Sequence, residues 1–239
     1  MTKGVSLLEG RGRTYGHVVV DEAQDLSPMQ LRMVARRAPA GSVTVLGDLA
    51  QSTGPWWYRS WADVAGPLPQ PDGWREVELT LGYRAPAPVI ELASRLLPAA
   101  APGIRPTGAV RPGRRLPVVR RVGAADLARE TAAEAAGLAA EGLLTGCIVA
   151  PEHARAVLAA LRAAGADAGA VETDGLSRRV TVLAAAAAKG LELDAVVVAE
   201  PSAIAGVTAR GLRLLYVALT RPIQHLSIVH AEPLPAPLR

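Results

Sequence analysis

His17-Val-Val-Val-Asp-Glu-Ala-Gln-Asp25 is the stretch on which the reading of this chain turns. Three consecutive valines favour a β-strand, and an unbroken apolar run predicts a strand buried on both faces of a parallel sheet. Such a strand delivers the adjacent carboxylates of Asp21 and Glu22 to its end, where α/β proteins handle phosphate-bound Mg²⁺ and a hydrolytic water. Burying two carboxylates there is costly unless something needs them, although acidic residues also suit the start of a helix.

Working outward, Ser27-Pro28 supplies an N-cap hydroxyl and a proline for the first helical position. Leu31, Val34 and Ala35 give that helix an apolar stripe, and Ser42–Leu46 returns as a second strand ending in Gly47-Asp48. Residues 54–76 read as a loop or a few short turns, and a strand is expected over Glu76–Leu81. A helix from about Pro86 to Leu97 and a surface connection over 98–117 follow. Beyond them, strands are expected at 117–122, 146–150, 170–173, 179–183, 194–199 and 224–230, and helices at about 124–141, 152–164 and 210–221. This alternation predicts a parallel α/β fold. The natural boundary lies near residue 76. The second segment holds enough elements for a complete domain, whereas the first has too few for a stable core of its own.

Half of the 239 residues are apolar, yet 3% are aromatic and there is no Phe. Of 26 basic residues only Lys3 and Lys189 are lysines, and arginines cluster at 111, 114, 115, 120 and 121, where they could meet phosphates or an acidic partner. The net charge of +4 is that of an ordinary surface. A lone Cys147 excludes an internal disulfide and a thiolate metal site and suits a reducing cytoplasm. No apolar run reads as a secretion signal or a membrane span.

Four further motifs carry polar residues at predicted strand or helix ends. They are Leu46-Gly-Asp-Leu-Ala-Gln51, Leu79-Thr-Leu-Gly-Tyr-Arg84, Ala188-Lys-Gly-Leu-Glu192 and Leu215-Tyr-Val-Ala-Leu-Thr-Arg221. Each alone has a bland reading as a turn, a surface arginine or a helix C-terminus favoured by a cation. In this order and spacing the five segments resemble the later motifs of UvrD/Rep-type superfamily 1 helicases, over about residues 17–230. Asp-Leu-Ser-Pro-Met-Gln and Gly-Asp-Leu-Ala-Gln-Ser-Thr-Gly-Pro-Trp are similar to the HelD-type branch, helicase-like ATPases that act on bacterial RNA polymerase.

The resemblance implies RecA-like parallel sheets. Residues 1–76 would form a partial first RecA-like domain with motifs II and III, and 77–239 a complete second one with motifs IV, V and VI. ATP and Mg²⁺ would bind between the two. Asp21 would hold the metal, Glu22 would orient the attacking water and Gln51 would sense the γ-phosphate. Tyr83 would stack on adenine, and Gly190 and Glu192 would approach the ribose and phosphates. Arg84 and Arg221 would add positive charge at the transferring phosphoryl group. Trp56 and Trp57 fall where such helicases stack an aromatic on single-stranded nucleic acid.

The chain departs from this pattern in three places. Both lysines are followed by glycine, so no Gly-Lys-Ser/Thr phosphate-binding (Walker A) loop can be drawn in the 239 residues. There is no long insertion between motifs, and Ala184–Ala188 stands where helicases carry a polar residue. The leading expectation is the C-terminal part of an ATP-dependent helicase-like ATPase that turns over no ATP alone, its phosphate loop lying on a separate chain or lost. The alternatives are a non-catalytic docking module for RNA polymerase or nucleic acid, and an unrelated nucleotide-dependent enzyme using Lys189.

Overall fold

In the computed structural model, which describes residues 13–239, strand β1 (Val18–Val20) pairs in parallel with β2 (Val43–Val45), matching Val18 to Val43 and Val20 to Val45. Helix α1 (Pro28–Ala35) connects them. Ser27 accepts from the Gln30 amide while the Gln30 side chain accepts from Ser27, which satisfies two donors at the helix start. Leu31 of α1 is fully buried. A five-residue helix α2 (Trp61–Ala65) is capped the same way by Ser60 and Asp63.

One expectation fails here. Of the three valines only Val20 is buried, and Val19 is 60% exposed. Asp21 and Glu22 are exposed as well. A strand becomes buried on both faces when neighbouring strands and helices cover it, and among the described residues this sheet has two strands. The desolvation cost expected for the two carboxylates does not arise.

The chain divides into two units, Met1–Glu78 and Leu79–Arg239. The second begins with β3 (Leu81–Gly82), paired in parallel with β4 (Gly108–Ala109). The strand expected over Glu76–Leu81 is thus confined to its last residue, because residues 71–80 are exposed and meet no ladder partner before Leu81. Helices α3 (Ala87–Ser94) and α4 (Leu97–Ala100) follow.

The remainder alternates as expected, through β5 (Val118–Arg121), α5 (Leu127–Ala140), β6 (Thr145–Val149), α6 (Pro151–Ala163), β7 (Ala168–Ala170), α7 (Val171–Asp174), β8 (Val180–Ala184), β9 (Leu193–Ala199), α8 (Pro201–Ala205), α9 (Ala209–Leu219) and β10 (Pro222–His230). Strand β7 ends where the sequence expected it to begin, since residues 171–174 coil into α7. The six long-range strands form one parallel sheet in the order β5-β10-β9-β6-β8-β7. This is a RecA-like α/β sheet flanked by helices. Leu127, Ala135 and Leu138 of α5 and Val157 and Leu161 of α6 pack with Cys147, Val149, Val182 and Val197. The alternate residues Ile148, Val196 and Val198 are equally buried and turn to the other face, as the period of a strand requires. Burial pushes the Cys147 thiol up to about 12, which leaves it an unreactive core residue.

Beneath α5, Ser227 donates to Glu134 at 2.6 Å and lies 3.1 Å from Nε2 of His225. Nδ1 of His225 has no partner among the described residues. Desolvation, and then the charge of Arg115, lower the His225 pKa, against the opposite pull of Glu134 and Glu141. The unfolded state therefore binds this proton first, and stability is lost as pH falls from about 6.5 toward the depressed folded value. Between pH 7 and 5.5 the melting temperature of the native chain should fall further than that of His225→Gln. Parallel pH profiles for the two would contradict this account. Among the described residues no helix is long and apolar enough to cross a membrane.

Candidate functional site

In the first unit the end of β1 turns sharply. Glu22 has φ 52° and ψ 37°, a left-handed conformation that costs a non-glycine residue about 1–2 kcal/mol. Its amide donates to Asp21 Oδ1 at 2.8 Å, which holds the Asp21 carboxylate against the turn. Gln24, fully buried, donates from Nε2 to Glu22 Oε2 at 2.6 Å and accepts the Asp48 amide on Oε1 at 3.1 Å. Asp48 in turn caps the turn at Leu49–Gln51 by accepting the Ala50 amide at 2.9 Å, and its other oxygen accepts from Gln51 Nε2 at 2.9 Å. One chain of hydrogen bonds thus runs Glu22–Gln24–Asp48–Gln51 and joins the ends of β1 and β2. Gly47 is part of it, because a Cβ there would overlap Gln24 Oε1.

Gln24 and Gly47 stand inside the motifs singled out from sequence, yet their roles were not readable there. What defines them is a contact across 24 positions. Asp21 fits a Mg²⁺ ion only as a single carboxylate, with water and phosphate oxygens completing the shell. No group of three or more metal-binding side chains occurs among the described residues.

The second unit gathers four motif residues at one edge of its sheet. Glu192 and Arg221 immediately precede β9 and β10, whose first residues Leu193 and Pro222 are paired. Arg84 reaches Glu192 at 2.7 Å. Arg111, which the motif pattern did not single out for this edge, donates to the carbonyls of Arg84 at 3.1 Å and Ile223 at 2.6 Å and ties β3 to the same place. Gly190 is the third residue of a type II turn closed by the Leu191 amide on the Ala188 carbonyl at 3.1 Å. Its φ of 77° is the physical reason for a glycine, and nothing crowds its open side. Tyr83 is 71% exposed, with its ring open to a stacking partner.

Arg221 sits differently. Its side chain is buried at 1% exposure and donates to the Val217 carbonyl at 2.9 Å and to Thr220 Oγ1 at 3.2 Å. Here it closes the C-terminus of α9, where a cation opposes the helix dipole. Trp56 and Trp57, in the first unit, are half-buried. The Trp56 ring lies against Gly54, and its indole N–H is buried without an acceptor among the described residues.

The second unit also has an open hollow of about 600 Å³ at the C-terminal ends of its strands, lined by Ala124, Leu127, His153, Glu200, Ser202 and Arg239 among others. It contains none of the motif residues. Glu200 is engaged in holding the chain together, accepting from Ser202 at 2.7 Å and from the Ala231 amide at 2.9 Å. The geometry of the motif residues at the opposite edge is therefore the better guide to function.

No protein-family model matches this chain, and no curated protein matches it. Among solved structures it is similar to the C-terminal domain of a possible DNA helicase from Lactobacillus plantarum WCFS1, with a TM-score of 0.52 and 22% sequence identity. The match covers 66% of this chain and 92% of that one. At that identity the likeness is one of fold, and it agrees with the RecA-like sheet described above.

Proposed function

We propose that this chain is the C-terminal portion of an ATP-dependent, helicase-like ATPase of the UvrD/Rep type, nearest the HelD branch, which depends on a phosphate loop outside the 239 residues. The observation that carries the reading is the convergence of Arg84 with Gly190–Glu192 on one sheet edge, from motifs 108 positions apart between Arg84 and Glu192. Asp21 and Glu22 fit metal binding and water activation. Gln51 fits phosphate sensing through its tie to Asp48. Bound ATP would supply the phosphoryl group and Mg²⁺ would neutralise it, while this chain orients the water and places guanidinium charge. RNA polymerase core or single-stranded nucleic acid is the partner class. The missing Lys-bearing loop favours, as a second reading, a non-catalytic docking module for the same partners.

The Arg84–Glu192 pair is 40% and 58% exposed, so it contributes little to stability, and Arg84 can turn to an anion at small cost. Titration of the chain with a fluorescent ATP analogue and Mg²⁺ should give weak binding. Arg84→Ala and Tyr83→Ala should each weaken it by about tenfold, roughly one charge-assisted contact or one stacking contact, with an unchanged melting temperature. Equal affinity in all three proteins would remove the ground for a nucleotide role of this edge.

A further inference from the structure

We infer that the arginine-rich apron over residues 105–121 is a docking surface for the backbone of a single-stranded nucleic acid. Residues 92–125 contain no Asp or Glu, while Arg105, Arg111, Arg114, Arg115, Arg120 and Arg121 fall within them. Almost all of residues 108–119 are exposed, and they lead into β5, the edge strand of the six-stranded sheet. β5 pairs only with β10, so one side of it has no ladder partner among the described residues.

Not every arginine is available. Arg115 pairs with Glu141 at 2.8 Å, and Arg120 lies 3.4 Å from both Glu130 and Glu134. Arg111, Arg114 and Arg121 have no carboxylate partner among the described residues. Arg111 is pinned by the carbonyls of Arg84 and Ile223, and Arg121 by Ala231 at 3.4 Å. These bonds fix the guanidinium groups in place without neutralising them. The result is uncompensated positive charge along an exposed, anchored segment.

Two features select the occupant. Guanidinium groups match phosphate oxygens in a planar, two-point contact. Between them stand apolar side chains open to solvent, with Leu116 74%, Val110 46% and Val119 45% exposed. A duplex hides its bases and would leave these groups facing phosphate and water. A single strand can lay its unstacked base faces and sugars on them while its phosphates meet the arginines. An acidic protein surface could meet the same charge, but it offers no regular row of phosphates to match a series of guanidinium groups along one segment.

The test is anisotropy titration of a labelled oligo-dT with the whole chain, without nucleotide, over a series of salt concentrations. Binding should weaken steeply with salt. The double substitution Arg114→Ala and Arg121→Ala should lower the slope of log K against log salt by about 1.4, at about 0.7 for each lost contact to a single strand. Arg178→Ala, which removes an arginine held by Asp167 and Asp174, should leave the slope unchanged. A melting curve for each variant separates loss of contact from loss of fold. No binding to oligo-dT, an unaltered slope in the double variant, or an equal loss in Arg178→Ala overturns the inference. Poly-Glu binding as tightly, with the same loss, also overturns it in favour of an acidic protein partner. Because no nucleotide is present, each of these outcomes leaves the proposed ATPase role standing.

Discussion

Joined to a polypeptide that supplies a Gly-Lys-Thr phosphate loop, this chain is expected to release phosphate from ATP, and Glu22→Gln is expected to slow that release by about 10²–10⁴. The chain alone should release none above background. Phosphoryl transfer depends on positioning and on charge placed around the γ-phosphate, and little covalent chemistry is asked of the protein. In the proposed role Glu22 would be oriented by Gln24, which donates to it at 2.6 Å and is itself anchored on Asp48. What the 239 residues lack is the cradle of backbone amides and its lysine. In the joined protein Gln24→Leu should slow the reaction by up to about 10², because the Glu22 carboxylate would lose its bearing while its chemistry is unchanged. Turnover by the chain alone that disappears in Glu22→Gln would refute this division of labour, and Gln24→Leu at the native rate would refute the positioning role.

The second large effect is on stability. Gly211 lies in the first turn of α9, and a Cβ there would collide with the carbonyl of Ala205 at the end of α8. The glycine lets the two helices approach backbone to backbone. Gly211→Ala should cost about 2–3 kcal/mol, the strain of parting them outweighing about 1 kcal/mol gained in helix propensity. In a unit of this size that lowers the melting temperature by roughly 5–10 °C. Gly137→Ala in α5 is the matched control. Nothing stands within 4 Å of its Cβ position, so this change should raise stability by up to about 1 kcal/mol. Two glycines in two helices should therefore give opposite signs in thermal denaturation. A neutral Gly211→Ala would show that α8 and α9 can separate freely.

The main helices and strands of the second unit, and the first helix of the first unit, were legible because local chemistry and burial agree there. The alternation of Val/Ile runs with Ala/Leu stretches marks β6, α6, β9 and β10, and Ser27-Pro28 marks the start of α1. Legibility failed where a partner decides the outcome. Val77, Leu79 and Leu81 alternate as a half-buried strand would, yet they are 65%, 79% and 57% exposed, and the ladder begins only at Leu81. The three valines of β1 read as a buried strand, but burial belongs to the neighbours of a strand and not to its own sequence. α8 was missed because Pro201–Ala205 is short and follows Glu200 in a left-handed turn, a conformation that sequence favours for glycine rather than glutamate.

By itself, the sequence determined the parallel α/β class, the motif order and the lack of a phosphate loop among these residues, since each follows from local preference or residue identity. Only the tertiary structure decided that Gln24 carries Glu22, that Arg111 binds Arg84 to the edge of β10, and that Arg221 lies buried at the end of α9. The Arg111 contacts join a side chain to backbone groups far along the chain, and the anchor that lets Gln24 hold Glu22 reaches across 24 positions to Asp48. Their energies depend on where the chain returns in space, a quantity that no local pattern of residues contains.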